Sequence, residues 1–153
     1  MREISAEQIT QVVRRLCIEA NCHLPQDMKG RIEACRAQEG WEPAREILDR
    51  IVENYRIADE NSRPICQDTG MACVFLKVGQ DVHITGDIRE AVDEGVRQGY
   101  GEGYLRKSVV RDPLDRVNTG DNTPAMLYYE LVPGGQLEIT VAPKGFGSEN
   151  MSQ

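Results

Sequence analysis

The chain has 153 residues, 40% hydrophobic and 28% charged, with a formal net charge of −7. That length and balance suit a single globular domain, 1–153, able to bury a sizeable core. The acidic balance argues against nucleic acid and against an anionic membrane as partners, since both demand a basic face.

The opening "MREISAEQ" lacks the apolar run of a signal peptide, and no stretch reaches bilayer-spanning length. The expected location is therefore cytoplasmic. The first sixty residues read as helical. Ser5 and Gln8 have the spacing of a capping box, and Ile9, Val12, Val13, Leu16 and Ala20 follow with helical recurrence. A second helix is expected after Pro25, which suits a first turn. A third starts near Pro43, with Ala44, Ile47, Leu48, Ile51, Val52, Tyr55 and Ala58 on one apolar face. Pro64 disfavours helical geometry at Arg63 and ends it.

The pattern then shortens. "MACVFLKVG" and "DVHI" read as a strand pair. Helical spacing returns through Ile88, Val92, Val96 and Tyr100, with Asp87 as cap. Gly95, Gly99, Gly101 and Gly103 each weaken that helix by about 1 kcal/mol relative to alanine, so its second half is either frayed or packed close to a neighbour. "RDPLDRVNTGDNTP" is loop. "AMLYYELV" and "QLEITVA" are strands whose "PGG" connection predicts a hairpin. The expected fold is α+β, a helical N-terminal region packed with a small mixed or antiparallel sheet.

Three polar, glycine-bearing loops at strand ends are the chemical candidates: "RPICQDTG", "NTGDNTP" and "PKGFGSEN". Cys66 in the first is either a buried cysteine beside an ordinary turn or an exposed thiolate that binds metal, with Arg63 three residues away. Cys73 alternates into the core of a strand. Cys17, Cys22 and Cys35 fall on or near helices as small hydrophobes. Five cysteines without a CxxC pair make neither a disulfide framework nor a zinc site, and His23 and His83 do not complete one. In "KGFGSEN" the glycines allow close backbone approach to a ligand, and Lys144 adds positive charge; an exposed turn is the plainer reading. Arg106, Lys107 and Arg111 cluster in an acidic chain. They either bind a carboxylate or complement a helix C-terminus through its dipole.

Five of these segments, "PICQDTG", "GQDVHI", "EAVDEGVRQGYGEGYLRKSVVRDPL", "NTGDNTPA" and "APKGFGSENMS", resemble in this order the α region of the iron–sulfur hydro-lyases. That family contains class I fumarate hydratase and L(+)-tartrate dehydratase, and "VRRLCIEANCHLP" is similar too. The resemblance covers nearly the whole chain. It implies a dehydratase acting on a small 2-hydroxy dicarboxylate. A 4Fe-4S cluster held by three cysteines would leave one iron open as a Lewis acid. Carried over residue by residue, Cys66 is one cluster ligand. Gln67 and Asp68 lie against substrate, and Arg106 contacts a substrate carboxylate. Gly145 and Gly147 belong to the active-site loop, where Phe146 replaces the middle of three small residues. Asp68 and Arg106 are the expected catalytic residues; Cys22 and Cys35 are not ligands.

The resemblance also implies a β subunit or β domain as partner, a homo-oligomer, and a chain that is part of a longer α region. The remaining cluster cysteines and the general base are expected outside it, so the isolated chain is expected to be inactive. Fumarate/malate interconversion is the favoured activity. An L(+)-tartrate dehydratase α subunit and a non-catalytic truncated domain are the alternatives.

Overall fold

The computed structural model describes residues 2–147. The chain forms two compact units, one from the chain up to Ala20 and again from Gln67, the other from Asn21–Cys66. The elements are β1 (Arg2–Ser5), α1 (Ala6–Cys22), α2 (Gln26–Gln38), α3 (Glu42–Asn61), β2 (Met71–Gly79), β3 (Val82–Thr85), α4 (Ile88–Glu102), β4 (Met126–Val132) and β5 (Leu137–Lys144). The class is α+β, as expected.

In the first unit the capping box forms: the Ser5 N–H donates to Gln8 Oε1 at 3.0 Å and the Gln8 N–H donates to Ser5 Oγ at 3.2 Å. The preceding strand β1 was not anticipated. It pairs in parallel with β3, with Ile4 opposite Ile84, so β3 leaves β2 instead of pairing with it. The main sheet has the order β4-β2-β5, with β4 parallel and β5 antiparallel to β2.

The expected β4–β5 hairpin is therefore incorrect. The 133–136 connection passes over the end of β2 instead of turning between neighbours. Gly79 makes this possible: its N–H donates to the Gln136 carbonyl at 2.8 Å, and a Cβ there would stand 2.2 Å from the Gly134 carbonyl oxygen. The sequence reads as a turn in either topology. The difference is which strand captures the free edges, and β2 is apolar enough to be central.

Ala72, Val74 and Leu76 point from β2 into the core with Ile9, Val13 and Cys17 of α1 and Ala91, Val92, Val96 and Tyr100 of α4. Cys73 has the opposite parity and is only half-buried, so its expected core position is corrected. Gly95 and Gly99 of α4 are packed close to α1 rather than frayed, whereas Gly101 meets nothing within 4 Å among the described residues. A Cβ on Gly95 would stand 2.7 Å from the Thr10 carbonyl oxygen, and one on Gly99 2.7 Å from that of Arg14. Small residues one turn apart let the two helix backbones approach.

In the second unit, Pro25 stands at the N-cap position of α2, one residue before its first turn and without a side-chain capping bond, and Pro43 occupies the first turn of α3. The wide apolar face expected on α3 narrows to Val52, Tyr55 and Ala58; Ile47 and Ile51 are exposed. One short neighbouring helix, itself without a buried residue, cannot cover more. Among the described residues no helix is long and apolar enough to cross a membrane.

Candidate functional site

Four segments that are far apart in sequence meet at one end of the main sheet in the first unit. Gly70 makes the closest approach. With φ of +61° it lies against the next strand end, where a Cβ would stand 2.1 Å from the Lys144 carbonyl oxygen. That contact brings the "QDTG" loop against the "KGFG" loop. Asp68 seals it: Oδ1 accepts the Gly70 N–H at 3.1 Å and Oδ2 accepts the Phe146 N–H at 3.3 Å. A Cβ on Gly145 would stand 3.1 Å from Asp68 Oδ2, whereas one on Gly147 would meet nothing within 4 Å among the described residues. Lys144 Nζ lies over the Phe146 ring, 4.9 Å from its centroid, and also donates to the Gly145 carbonyl. Ser148, Glu149 and Asn150 lie outside the described residues.

Thr69, buried, donates through its hydroxyl to the Arg106 carbonyl at 3.1 Å. Arg106 reaches that place through the end of α4. The Leu105 N–H bonds the Tyr100 carbonyl at 3.1 Å and the Tyr104 N–H bonds the Gly101 carbonyl at 3.3 Å, with Tyr104 at φ of +51°. This is a Schellman closure with tyrosine where glycine is usual. It places Arg106, Lys107 and Arg111 beyond the helix, whose last turn contains no basic residue. The dipole reading of these residues is thereby overturned. The Arg106 side chain is exposed.

The "DNTPA" segment is held by a polar stripe on α4. Arg97 Nε donates to Asp121 Oδ2 at 3.1 Å, Asp93 Oδ1 accepts the Ala125 N–H at 2.8 Å, and Arg89 donates to the Ala125 carbonyl at 2.9 Å. Burial pushes the Asp121 carboxyl upward, but hydrogen bonds from the Thr123 N–H, the Thr123 hydroxyl and Arg97 outweigh it and hold it below its ordinary value. The recurrence of Arg89, Asp93 and Arg97 every fourth residue was the available signal.

Cys66 is exposed and ends the second unit; a peptide bond joins it to Gln67, also exposed. Ile65 before it is tied down twice within that unit. Its N–H donates to the Asn21 carbonyl and its carbonyl accepts from Asn54 Nδ2, each at 2.9 Å. Cys17 and Cys22 are buried, and Cys35 is exposed on α2 rather than serving as a small hydrophobe. Among the described residues no group of three His, Cys, Asp or Glu side chains is placed to hold a metal. Cys66 and Cys35 are the exposed thiols among the described residues.

The family described as fumarate hydratase (Fumerase) matches residues 10–153. The chain belongs to the fumarate hydratase family. Within this family it is 38% identical over 152 residues to the "Putative L(+)-tartrate dehydratase subunit alpha" of Methanocaldococcus jannaschii, covering 95% of this chain and 53% of that protein. It is 32% identical over 152 residues to the aerobic class I fumarate hydratase of Escherichia coli, covering 97% of this chain and 28% of that protein. The L(+)-tartrate dehydratase subunit alpha of Escherichia coli is 26% identical over 150 residues, covering 95% of this chain and 49% of that protein. This fumarate hydratase family chain therefore spans about half the length of the α subunits it matches.

Proposed function

We propose that this chain is the Cys66-bearing portion of an iron–sulfur hydro-lyase that interconverts a 2-hydroxy dicarboxylate and its dehydrated product, with fumarate and malate as the favoured pair. The observation that carries the reading is the convergence of the "QDTG", "LRKS", "DNTP" and "KGFG" segments through hydrogen bonds between them. In this reading Cys66 supplies one cluster thiolate, and the other two ligands and the general base come from outside the chain. A bound cluster with an open iron would supply Lewis-acid activation of the departing hydroxyl.

The chain's own residues bind and orient. Arg106 offers an exposed guanidinium to a substrate carboxylate, the partner its planar fork fits. Asp68 is held by two backbone N–H groups, which fixes where its carboxylate stands when substrate arrives. Gln67 adds an amide beside it. Gly145 lets the loop backbone close on Asp68, and Gly147 belongs to the same substrate-binding loop.

A β partner belongs to this reading, supported by relatives named as α subunits. Homo-oligomerisation is supported by the outward face of the main sheet, where Phe75 and Tyr128 stack at 4.9 Å with both rings partly exposed. A cytoplasmic location accompanies it, since five cysteines without a disulfide suit a reducing compartment. The second substrate reading is L(+)-tartrate, favoured by the 38% identity to a relative of that name.

Assays of the complete enzyme with fumarate, malate and L(+)-tartrate decide the substrate. Cys66→Ser in that enzyme is expected to lose cluster absorbance and turnover together; retention of both would refute the ligand role. Reconstitution of the isolated chain with iron and sulfide is expected to give no stable cluster spectrum, and a stable one would overturn the one-thiolate assignment.

A further inference from the structure

Asn122 lies in a loop, yet it is fully buried. Its oxygen accepts the backbone N–H groups of Ser108 at 2.7 Å and Val109 at 3.2 Å. Its amide nitrogen donates to the Gly70 carbonyl at 3.1 Å. One side chain thereby grips the peptide two residues after Asp68 and the peptide two residues after Arg106. Tyr100, also buried, reinforces the first grip: its hydroxyl donates to the Thr69 carbonyl at 2.9 Å and lies 3.3 Å from that of Gly70. Asn122 adopts φ of +65°, a conformation asparagine tolerates better than most residues, and its three bonds would offset that cost.

We infer that Asn122 is a positioning residue, fixing the Asp68 loop against the Arg106 segment, with Tyr100 as its second support. Its catalytic meaning rests on the hydro-lyase reading; the placement itself does not. Asparagine is required at the centre because it is donor and acceptor at once. An aspartate keeps the acceptor toward Ser108 and Val109 but turns a carboxylate oxygen on the Gly70 carbonyl.

The test uses the complete, cluster-loaded enzyme carrying Asn122→Asp, Tyr100→Phe or, as a stability-matched control, Val13→Ala in the α1 core. Activity per folded molecule, melting temperature and peptide-level hydrogen exchange are read in each. Asn122→Asp is expected to lower kcat about 100-fold, the scale of a misplaced reacting group, with exchange rising at 66–70. Tyr100→Phe should fall about tenfold. Val13→Ala should lose melting temperature but keep its activity per folded molecule.

Equal specific activity in Asn122→Asp and the control would overturn the inference. So would wild-type exchange at 106–109 as fast as in the exposed 112–116 segment. Should Asn122→Asp fail to fold, Tyr100→Phe decides, because it removes only a hydroxyl. Should wild-type enzyme turn over none of the three acids, the hydro-lyase reading falls and the exchange measurements alone decide the positioning.

Discussion

The Thr69 hydroxyl donates a hydrogen bond to the backbone carbonyl of Arg106 at 3.1 Å, joining residues 37 apart in sequence. A threonine that would otherwise read as ordinary turn material thus sets where the arginine segment lies. Thr69→Val keeps the shape and removes the donor, leaving a carbonyl unpaired. We expect a loss of about 1 kcal/mol in urea unfolding. An unchanged midpoint would show that the bond contributes nothing.

The α1–α4 contact predicts opposite signs for glycine substitutions within one helix. Gly95→Ala and Gly99→Ala place a methyl group within 2.7 Å of backbone oxygen and should each cost about 1–3 kcal/mol. Gly101→Ala meets nothing within 4 Å and should gain about 0.5–1 kcal/mol from helix propensity. Thermal unfolding of the three variants checks both signs.

Tyr104 is 93% exposed at φ of +51°, so it carries backbone strain without packing in return. Tyr104→Gly should stabilise the chain by up to about 1 kcal/mol, because glycine fits the left-handed position. A loss of stability instead would mean that the ring is held by something beyond the described residues.

The cysteines should separate by reactivity. Burial pushes the Cys17 thiol from 9.0 up to about 12, and burial also raises Cys22. Iodoacetamide at pH 8 should modify exposed Cys35 and Cys66 in the native chain and Cys17 only after unfolding, as read by peptide mass mapping. The sign at high pH follows. Above the ordinary value the unfolded chain loses the Cys17 proton while the folded chain keeps it. Stability therefore falls between pH 9.0 and about 12, with a slope of about 1.4 kcal/mol per pH unit. Cys17→Ala should flatten that limb.

Asp121 acts at the acid end. Its folded value lies below the ordinary one, so its contribution is complete above the carboxylate range and disappears as protons bind the native carboxylate. Wild type should lose stability on acidification below about pH 4 more steeply than Asp121→Asn. Parallel acid limbs in denaturant titrations at several pH values would show that Arg97 and Thr123 do not favour the charged form.

Local chemistry was readable wherever it acts within a few residues. The Ser5–Gln8 box, the Asp87 cap and the buried stripe of Val92, Val96 and Tyr100 all formed as their spacing implies. The motif loops were also readable as loops. The partner choices were not. β3 deserts β2 for β1, and β4 and β5 both select β2, because strand identity is encoded by composition whereas pairing depends on which edge is free and which face is covered. Cys73 shows the cost of one residue of parity: an apolar strand position can face away from the core. The recurrence of Arg89, Asp93 and Arg97 marks only a charged helix face, which looks solvated until a loop folds onto it.

The order and content of the motifs alone determined the family, the α+β class and the thiol at position 66. The three-dimensional structure alone decided that Thr69 and Asn122 tie the Asp68, Arg106 and Gly145 segments together. Hydrogen-bond geometry between distant peptides carries no periodicity, so nothing in the linear chain announces it; burial of the Asn122 amide makes those bonds specific by leaving no water to substitute for them.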